Sequence, residues 1–326
     1  MAELIPPPIL FFVLGAAAAA LRSDLHLPES LAKTLSIYLM VAIGLKGGAA
    51  LGTPGASEGL WGALGAGVVL SFLLPILAFA LLRAASSLDR ETAAAVSGHY
   101  GSVSVVTFAT AIGTLNALGL PHEGFMPAVL AAMETPAIVT ALLLANGAVR
   151  RHRNRASGPG APTPLPVLLR EVLLNGSIVL LLGSFAIGWF GGEPARAQFA
   201  PFAEALFPGA LALFLLEMGL VAARQIRAAP GVLDARLFAF GLVMPLIGGA
   251  LGLGAGLLVG LSVGGVALMA VLSASASYIA VPAAMRMALP KADAGVYVTL
   301  SLAVTFPFNV VAGIPIWIAA AQMVVG

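Results

Sequence analysis

The sequence predicts an all-α polytopic membrane protein with ten transmembrane helices in two inverted repeats of five. Three observations lead to this fold class: the composition, the number of apolar blocks and the distribution of the basic residues. The chain has 326 residues, of which 60% are hydrophobic and only 9% are charged, and its mean hydropathy is +1.03. Since soluble domains carry roughly 25% charged residues, the lipid bilayer must be the solvent for most of this chain.

The composition also excludes several classes of protein. Disordered chains are poor in apolar residues and rich in charge, which is the opposite of what this sequence shows. The chain has no cysteine, so it can form no disulfide, thiolate metal site or cysteine nucleophile. A net charge of +2 is too small to indicate nucleic acid as a partner.

Ten apolar blocks approach or exceed the roughly 20 residues that a helix needs to cross the bilayer. The first block follows Glu3 and three prolines instead of a basic segment, so we interpret it as a helix and not as a signal peptide. The predicted spans are 4–21, 31–51, 60–82, 92–115, 125–149, 165–190, 199–222, 237–261, 266–289 and 296–324.

The basic residues lie almost entirely in the segments that follow odd-numbered spans. Of the 16 Lys and Arg residues, 14 follow odd spans and only Lys46 and Arg196 follow even spans. Because Lys and Arg concentrate in cytoplasmic loops, this pattern places both termini outside and fits a bacterial inner (plasma) membrane. One missed or added span would destroy the asymmetry, so it also favours the count of ten.

The longest polar stretch, residues 150–166, predicts a cytoplasmic linker between a first repeat, 1–149, and a second repeat, 167–326. Because each repeat has five spans, the second must enter the membrane from the opposite side. Inverted repeats of this kind supply the two exchangeable conformations of a secondary transporter.

Short segments recur in the two repeats at a nearly constant offset. The offset is 175 residues between the Gly-Leu pairs, 173 between the serine pairs and 171 between the prolines. Coincidence in an apolar sequence of low diversity remains the alternative to common descent. The matched residues are Gly44 and Gly219, Ser102 and Ser275, Ser104 and Ser277, and Pro136 and Pro307.

Spans 4 and 9 are predicted to be broken where they cross near the middle of the membrane. Span 4 contains Gly98-His99-Tyr100-Gly101-Ser102-Val103-Ser104, and span 9 contains Ser273-Ala274-Ser275-Ala276-Ser277-Tyr278 followed by Pro282. Non-helical backbone at that depth has to line a cavity or be buried in protein. The N-termini of half-helices attract anions, whereas carbonyl and hydroxyl oxygens suit a hard cation such as sodium.

These segments give two sets of candidate ligands. Serine also mediates helix packing and bonds back to its own helix, and Glu134 in span 5 has a structural hydrogen-bonding role as its alternative. The predicted anion site comprises Gly101, Ser102, Val103, Ser104, Ser275, Ala276 and Ser277. The predicted cation site comprises Ser102, Thr107, Glu134, Ser275, Ser277 and Tyr278.

Four stretches resemble the SbtA-like family of sodium-dependent bicarbonate transporters: IGLKGG at 43–48, GHYGSVSVVT at 98–107, ETPAIVTALLLAN at 134–146 and SASYIAVPAAMR at 275–286. The resemblance implies a core and a gate domain, each drawn from both repeats, and crossing helices that are broken at the site. It also implies a homotrimer, bicarbonate import coupled to sodium without any other cofactor, and a PII-like regulatory protein at the cytoplasmic face.

The sequence departs from that family at two positions of the site. Tyr278 stands where cyanobacterial members have an aspartate, and Val105 stands where they have a glycine. Charge balance then comes from Glu134, or the coupling ion is a proton. A cation/proton antiporter or an organic-anion symporter of the same inverted plan is the alternative function. Primary pumping is not predicted, since the chain has no P-loop. An enzyme such as an intramembrane metalloprotease is not predicted either, since the chain has no HExxH metal motif.

Overall fold

The computed structural model describes residues 7–52, 58–146, 170, 174, 176–228 and 231–326, and this part of the chain is helical without any strand. The predicted linker, 150–166, lies outside the described residues. So do the first residues of predicted spans 1 and 6. The all-helical class is therefore confirmed for the described part, while the division into two repeats stays a prediction.

The first half of the described chain forms six helices. Helix α4 begins after Asp89, whose side chain accepts a hydrogen bond from the Thr92 amide (3.0 Å) and so caps the helix. Prolines lie inside α3 and α6 at Pro75 and Pro136. The six helices are α1 Pro7–Ala20, α2 Glu29–Leu51, α3 Leu60–Ala85, α4 Arg90–Gly101, α5 Val105–Ala117 and α6 Met126–Asn146.

The second half forms a corresponding series. Its last helix, α12, contains two π-helical segments, Thr299–Thr305 and Asn309–Gly313, and a π-helical turn at Pro201–Ala205 joins α7 to α8. The helices are α7 Gly176–Ala200, α8 Phe207–Ala228, α9 Ala235–Leu258, α10 Val263–Ala274, α11 Ala280–Ala288 and α12 Ala294–Val325.

Within the described residues, six helical stretches are long and apolar enough to cross a membrane. One of them, Ile178–Ala228, runs for 51 residues through α7 and α8, and the shorter apolar helices are Pro7–Ala20 and Val263–Ala274. The chain is thus a multi-pass membrane protein. The count of ten spans stays a prediction, because breaks divide two predicted spans into helices shorter than the bilayer is thick.

The segment between predicted spans 6 and 7 differs from the expected loop, because it is largely helical. Helix α7 runs beside α2 as far as Gly192, where φ of 54° and ψ of −147° reverse the chain. Glycine populates this conformation without the steric cost that a Cβ adds. Beyond it the chain returns along α2, where the Tyr38 hydroxyl donates to the Phe202 carbonyl.

Glycines bring two helix pairs into close contact. A Cβ on Gly15 of α1 would lie 2.0 Å from the Leu216 carbonyl oxygen of α8, and a Cβ on Gly48 of α2 would lie 1.9 Å from the Phe185 carbonyl oxygen of α7. We call α1, α2, α7 and α8 the four-helix group. The remaining helices pack mainly among themselves, with α3 against α4 and α6, and α9 against α10, and they form the eight-helix group.

Candidate functional site

The first break separates α4 from α5 at Ser102, Val103 and Ser104. Ser102 ends α4 in an extended conformation, with φ of −86° and ψ of 175°, and its amide donates to the Gly98 carbonyl (3.2 Å). Ser104 begins α5, and its hydroxyl accepts a hydrogen bond from the Thr107 amide (3.2 Å). A serine at this position satisfies one of the amides that the first turn of a helix leaves without a partner.

The second break separates α10 from α11 between Ser275 and Ile279. Ser275 ends α10 in an extended conformation, with φ of −81° and ψ of 161°, and its hydroxyl donates to the Leu272 carbonyl (2.8 Å). Helix α11 then begins at Ala280. Pro282 lies in its first turn, where the missing proline N–H leaves no helical bond unmade.

The two breaks contact each other through two hydrogen bonds that backbone amides donate. The Ser104 amide donates to the Ser275 hydroxyl (3.0 Å), and the Ser277 amide donates to the His99 carbonyl (2.8 Å). These residues lie more than 170 positions apart in the sequence, so the two hydrogen bonds connect the two halves of the chain. The predicted serine pairs of spans 4 and 9 are therefore brought together.

Helix α12 supports the breaks with side chains that the sequence interpretation did not select. Asn309 donates from Nδ2 to the carbonyl of Ala274 (2.8 Å), which is the last residue of α10. Thr305 donates to the Gly241 carbonyl (2.8 Å), so the Tyr100 hydroxyl, 2.6 Å away, donates to Thr305. Asn309 and Thr305 are polar residues in a strongly apolar span, and that contrast was the available signal.

Several buried polar atoms at the first break have no hydrogen-bond partner within the described part of the chain. They are the Ser102 hydroxyl, the Thr107 hydroxyl and Oε2 of Glu134, in side chains that are 1%, 1% and 2% exposed. Burying a polar group without a partner costs about 1–3 kcal/mol. Such groups are typical of a site that binds something further.

A small cavity separates Glu134 from the two breaks. Its volume is about 10 Å³, close to the space that a single water needs. The cavity is lined by Met40, Val103, Ser104, Val105, Glu134, Ser277, Tyr278 and Ile279. Glu134 on α6 therefore shares one enclosed space with residues of both breaks.

Other predicted site residues have packing roles as well. Gly101 lies against α3, where an added Cβ would be 2.1 Å from Cγ of Pro75, and Ala276 is buried. The Tyr278 ring packs edge-on against Phe306, with 5.1 Å between the centroids. The Tyr278 hydroxyl lies 3.7 Å from the sulfur of Met218 in α8.

The breaks bring together positive and negative ends of helices, which attract an anion and a cation respectively. Helices α5 and α11 begin at the breaks with the positive ends of their dipoles, and α4 and α10 end there with the negative ends. No cluster of three or more His, Asp or Glu residues that could hold a metal ion occurs in the described segments. A hard cation would find hydroxyls, carbonyls and one carboxylate instead.

Comparison with known proteins identifies the family. No individual curated protein gives a significant match. The family model described as the Na+-dependent bicarbonate transporter superfamily matches residues 7–322, nearly the whole chain. This match confirms the family resemblance that the four sequence blocks indicate, and it covers both breaks and Glu134. The chain belongs to the Na+-dependent bicarbonate transporter superfamily.

Proposed function

We propose that this protein imports bicarbonate together with sodium by alternating access, with both ions bound at the two helix breaks. Membership of the superfamily supports the substrate class. The observation that carries the proposal is the pair of hydrogen-bonded breaks beside three buried oxygen atoms that have no hydrogen-bond partner among the described residues. They are the Ser102 and Thr107 hydroxyl oxygens and Oε2 of Glu134.

Bicarbonate is assigned to the N-terminal ends of α5 and α11. These ends carry the positive ends of the helix dipoles without any Arg or Lys, which suits a small monovalent anion. The assignment uses the segments from Gly101 to Ser104 and from Ser275 to Ser277. Because Ser104 and Ser275 already use their hydroxyls in hydrogen bonds, Ser102 and Ser277 are the serines that we expect to reach the anion.

Sodium is assigned to the free oxygens beside the first break. The Ser102 and Thr107 hydroxyls and the Glu134 carboxylate are oxygen ligands of the kind that a hard cation prefers. Glu134 supplies the negative charge that Tyr278 cannot supply. Binding of sodium would satisfy these three oxygen atoms, which have no partner within the described segments.

Alternating access is assigned to an inverted repeat of five helices in each half. Two packing contacts support it. In an inverted repeat α1 would correspond to α7 and α2 to α8, so the α1–α8 contact and the α2–α7 contact would be equivalent. Both contacts are made by glycines. The ten spans, the outward termini and the inner-membrane location belong to this proposal. The homotrimer and the PII-like partner belong to it too, and they rest on the family resemblance alone.

The proposal is tested with purified protein in liposomes. We expect labelled bicarbonate to accumulate when an inward sodium gradient is imposed. Uptake should be lost when potassium replaces sodium at the same ionic strength. Equal uptake in the two buffers would contradict sodium coupling, and a pH gradient that drives uptake would assign the coupling to protons. The absence of uptake in either buffer would contradict the substrate.

A pair of serine variants tests the position of the site. Ser102→Ala removes a hydroxyl without a protein partner and should lower uptake at least tenfold. Ser97→Ala is the matched control, because Ser97 is also buried in α4 and its hydroxyl already donates to the Ala94 carbonyl (2.7 Å). Equal uptake by the two variants would assign Ser102 to helix packing.

A further inference from the structure

A large crevice separates part of the four-helix group from α5 and the loop that follows it. Its volume is about 1410 Å³, and most of its wall is apolar. Residues of α1, α2, α5 and α8 line it, together with His122 from the loop between α5 and α6. Its charged lining residues are Lys46, Arg196 and Glu204.

The crevice lies next to the helix breaks. Helix α2 contributes Met40 to the small cavity at the breaks and Ile43 to the crevice, a separation of about 4.5 Å along the helix axis. Helix α5 likewise contributes Val105 to the cavity and Ile112 to the crevice. The same two helices therefore line both the crevice and the small cavity at the breaks.

The two basic residues of the crevice differ in their partners. Arg196 forms ion pairs with Glu204 (3.1 Å) and Glu193 (3.6 Å). Lys46 forms no ion pair or hydrogen bond with any residue that the structure describes, although it is half-buried. An unpaired cation against apolar walls produces a strong local field, because there is little water to screen it.

The field of Lys46 reaches across the crevice to the opposite wall. Burial lowers the pKa of His122 from its usual value, the hydrogen bond to the Glu123 backbone raises it, the positive charge of Lys46 lowers it, and the negative charge of Glu123 raises it. Among the charged lining residues, Arg196 and Glu204 pair with each other, so Lys46 leaves the lining with a net charge of +1.

We propose that this crevice is the outer access path for bicarbonate and that Lys46 concentrates the anion in it. This inference rests on the proposed function and adds a residue outside the helix breaks to it. Lys46 and Arg196 are also the two basic residues that the charge distribution places on the outer side of the membrane. A low-dielectric cleft with one net sign of charge raises the local concentration of the opposite ion.

The chain has no natural cysteine, so Lys46→Cys introduces a single thiol that external reagents can modify. We expect Lys46→Cys to raise the KM for bicarbonate about threefold to tenfold, the scale of one unit charge at close range in water, while kcat stays within twofold. Attachment of a cationic methanethiosulfonate from outside should restore the KM, and the anionic reagent should raise it further. If this variant fails to assemble, Lys46→Gln, which removes the charge, and Lys46→Arg, which keeps it, provide the same comparison of KM.

Arg196→Gln is the matched control, because Arg196 lines the same crevice and is already paired with two carboxylates. Its KM should stay within twofold of the wild type. A wild-type KM in Lys46→Cys, or a lower kcat at unchanged KM, would overturn the capture role. A thiol that external reagents cannot reach would mean that lipid chains fill the crevice. Each of these results leaves sodium-dependent uptake by the wild type intact, whereas loss of that uptake overturns the proposed function itself.

Discussion

Thr107→Val provides the sharpest test of the cation site, because the structure predicts opposite effects on stability and on function. The Thr107 hydroxyl is buried without a partner among the described residues, and valine has nearly the same shape. Removal of such a group should leave the free energy of unfolding unchanged or raise it by about 1 kcal/mol. The Thr107 amide keeps its hydrogen bond to Ser104 (3.2 Å), so the cap of α5 is preserved.

The same substitution should weaken sodium binding. Loss of one oxygen ligand at about 1.4–2 kcal/mol corresponds to a tenfold or larger increase in the sodium concentration for half-maximal uptake. Sodium that binds only the folded protein also stabilises it, by about 2.7 kcal/mol at a concentration of 100 times the Kd. Thermal unfolding in detergent, measured in sodium and in potassium chloride, should therefore show a sodium-dependent rise in Tm that Thr107→Val loses.

Thr110→Val controls for the loss of a buried threonine from the same helix. Thr110 lies one turn further along α5, and its hydroxyl donates to the Val106 carbonyl (2.8 Å). We expect this variant to keep both the sodium response of Tm and the sodium dependence of uptake. The reasoning is refuted if Thr107→Val lowers Tm in potassium chloride and retains the full sodium response, since the hydroxyl would then contribute to packing and not to ion binding.

Two further substitutions test the carboxylate and the helix packing. Glu134→Gln should remove sodium stimulation of uptake without loss of assembly, because a neutral amide costs less to bury than a carboxylate. Sodium titration of uptake measures the first effect, and size-exclusion chromatography measures the second. Retained sodium stimulation would contradict the assignment of Glu134 to the cation site. Gly48→Val should destabilise the fold by several kcal/mol, because its Cβ would lie 1.9 Å from a carbonyl oxygen of α7. Gly65→Ala, where nothing lies within 4 Å, is its control, and equal Tm values for the two would refute the close contact.

The sequence predicted which segments are broken better than it predicted the hydrogen bonds of the side chains in them. Glycine and serine in the middle of spans 4 and 9 indicated the two segments that the structure shows as breaks. The hydroxyls of Ser102, Ser104, Thr107, Ser275 and Ser277 look equivalent in the sequence. Only the structure distinguishes Ser104 and Ser275, which bond to the backbone at the breaks, from Ser102 and Thr107, whose hydroxyls stay unpaired among the described residues.

Other features were beyond the sequence for physical reasons. The hydrogen bond from Tyr100 to Thr305 joins residues 205 positions apart, and no periodic pattern encodes a contact at that distance. The helices are apolar on nearly every face, so hydrophobic periodicity cannot orient them. Reversal of the chain at Gly192 depends on one pair of backbone angles, which a Gly-Gly dipeptide permits but does not require.

The hydrogen bonds of the site indicate which helices would move together during transport. The breaks are bonded to each other and to α12, through the Ser104–Ser275 and Asn309–Ala274 contacts, so the eight-helix group holds both half-sites together. Met40 of α2 and Met218 of α8 bring only apolar or weakly polar side chains to the site from the four-helix group. A displacement between the groups would therefore carry both breaks as one unit and would break few strong hydrogen bonds at the site. Packed interfaces between rigid units have discrete arrangements, so a small change at a binding site can switch a whole unit from one arrangement to the other. The free energy of sodium binding at Glu134 would therefore shift the position of the whole eight-helix group.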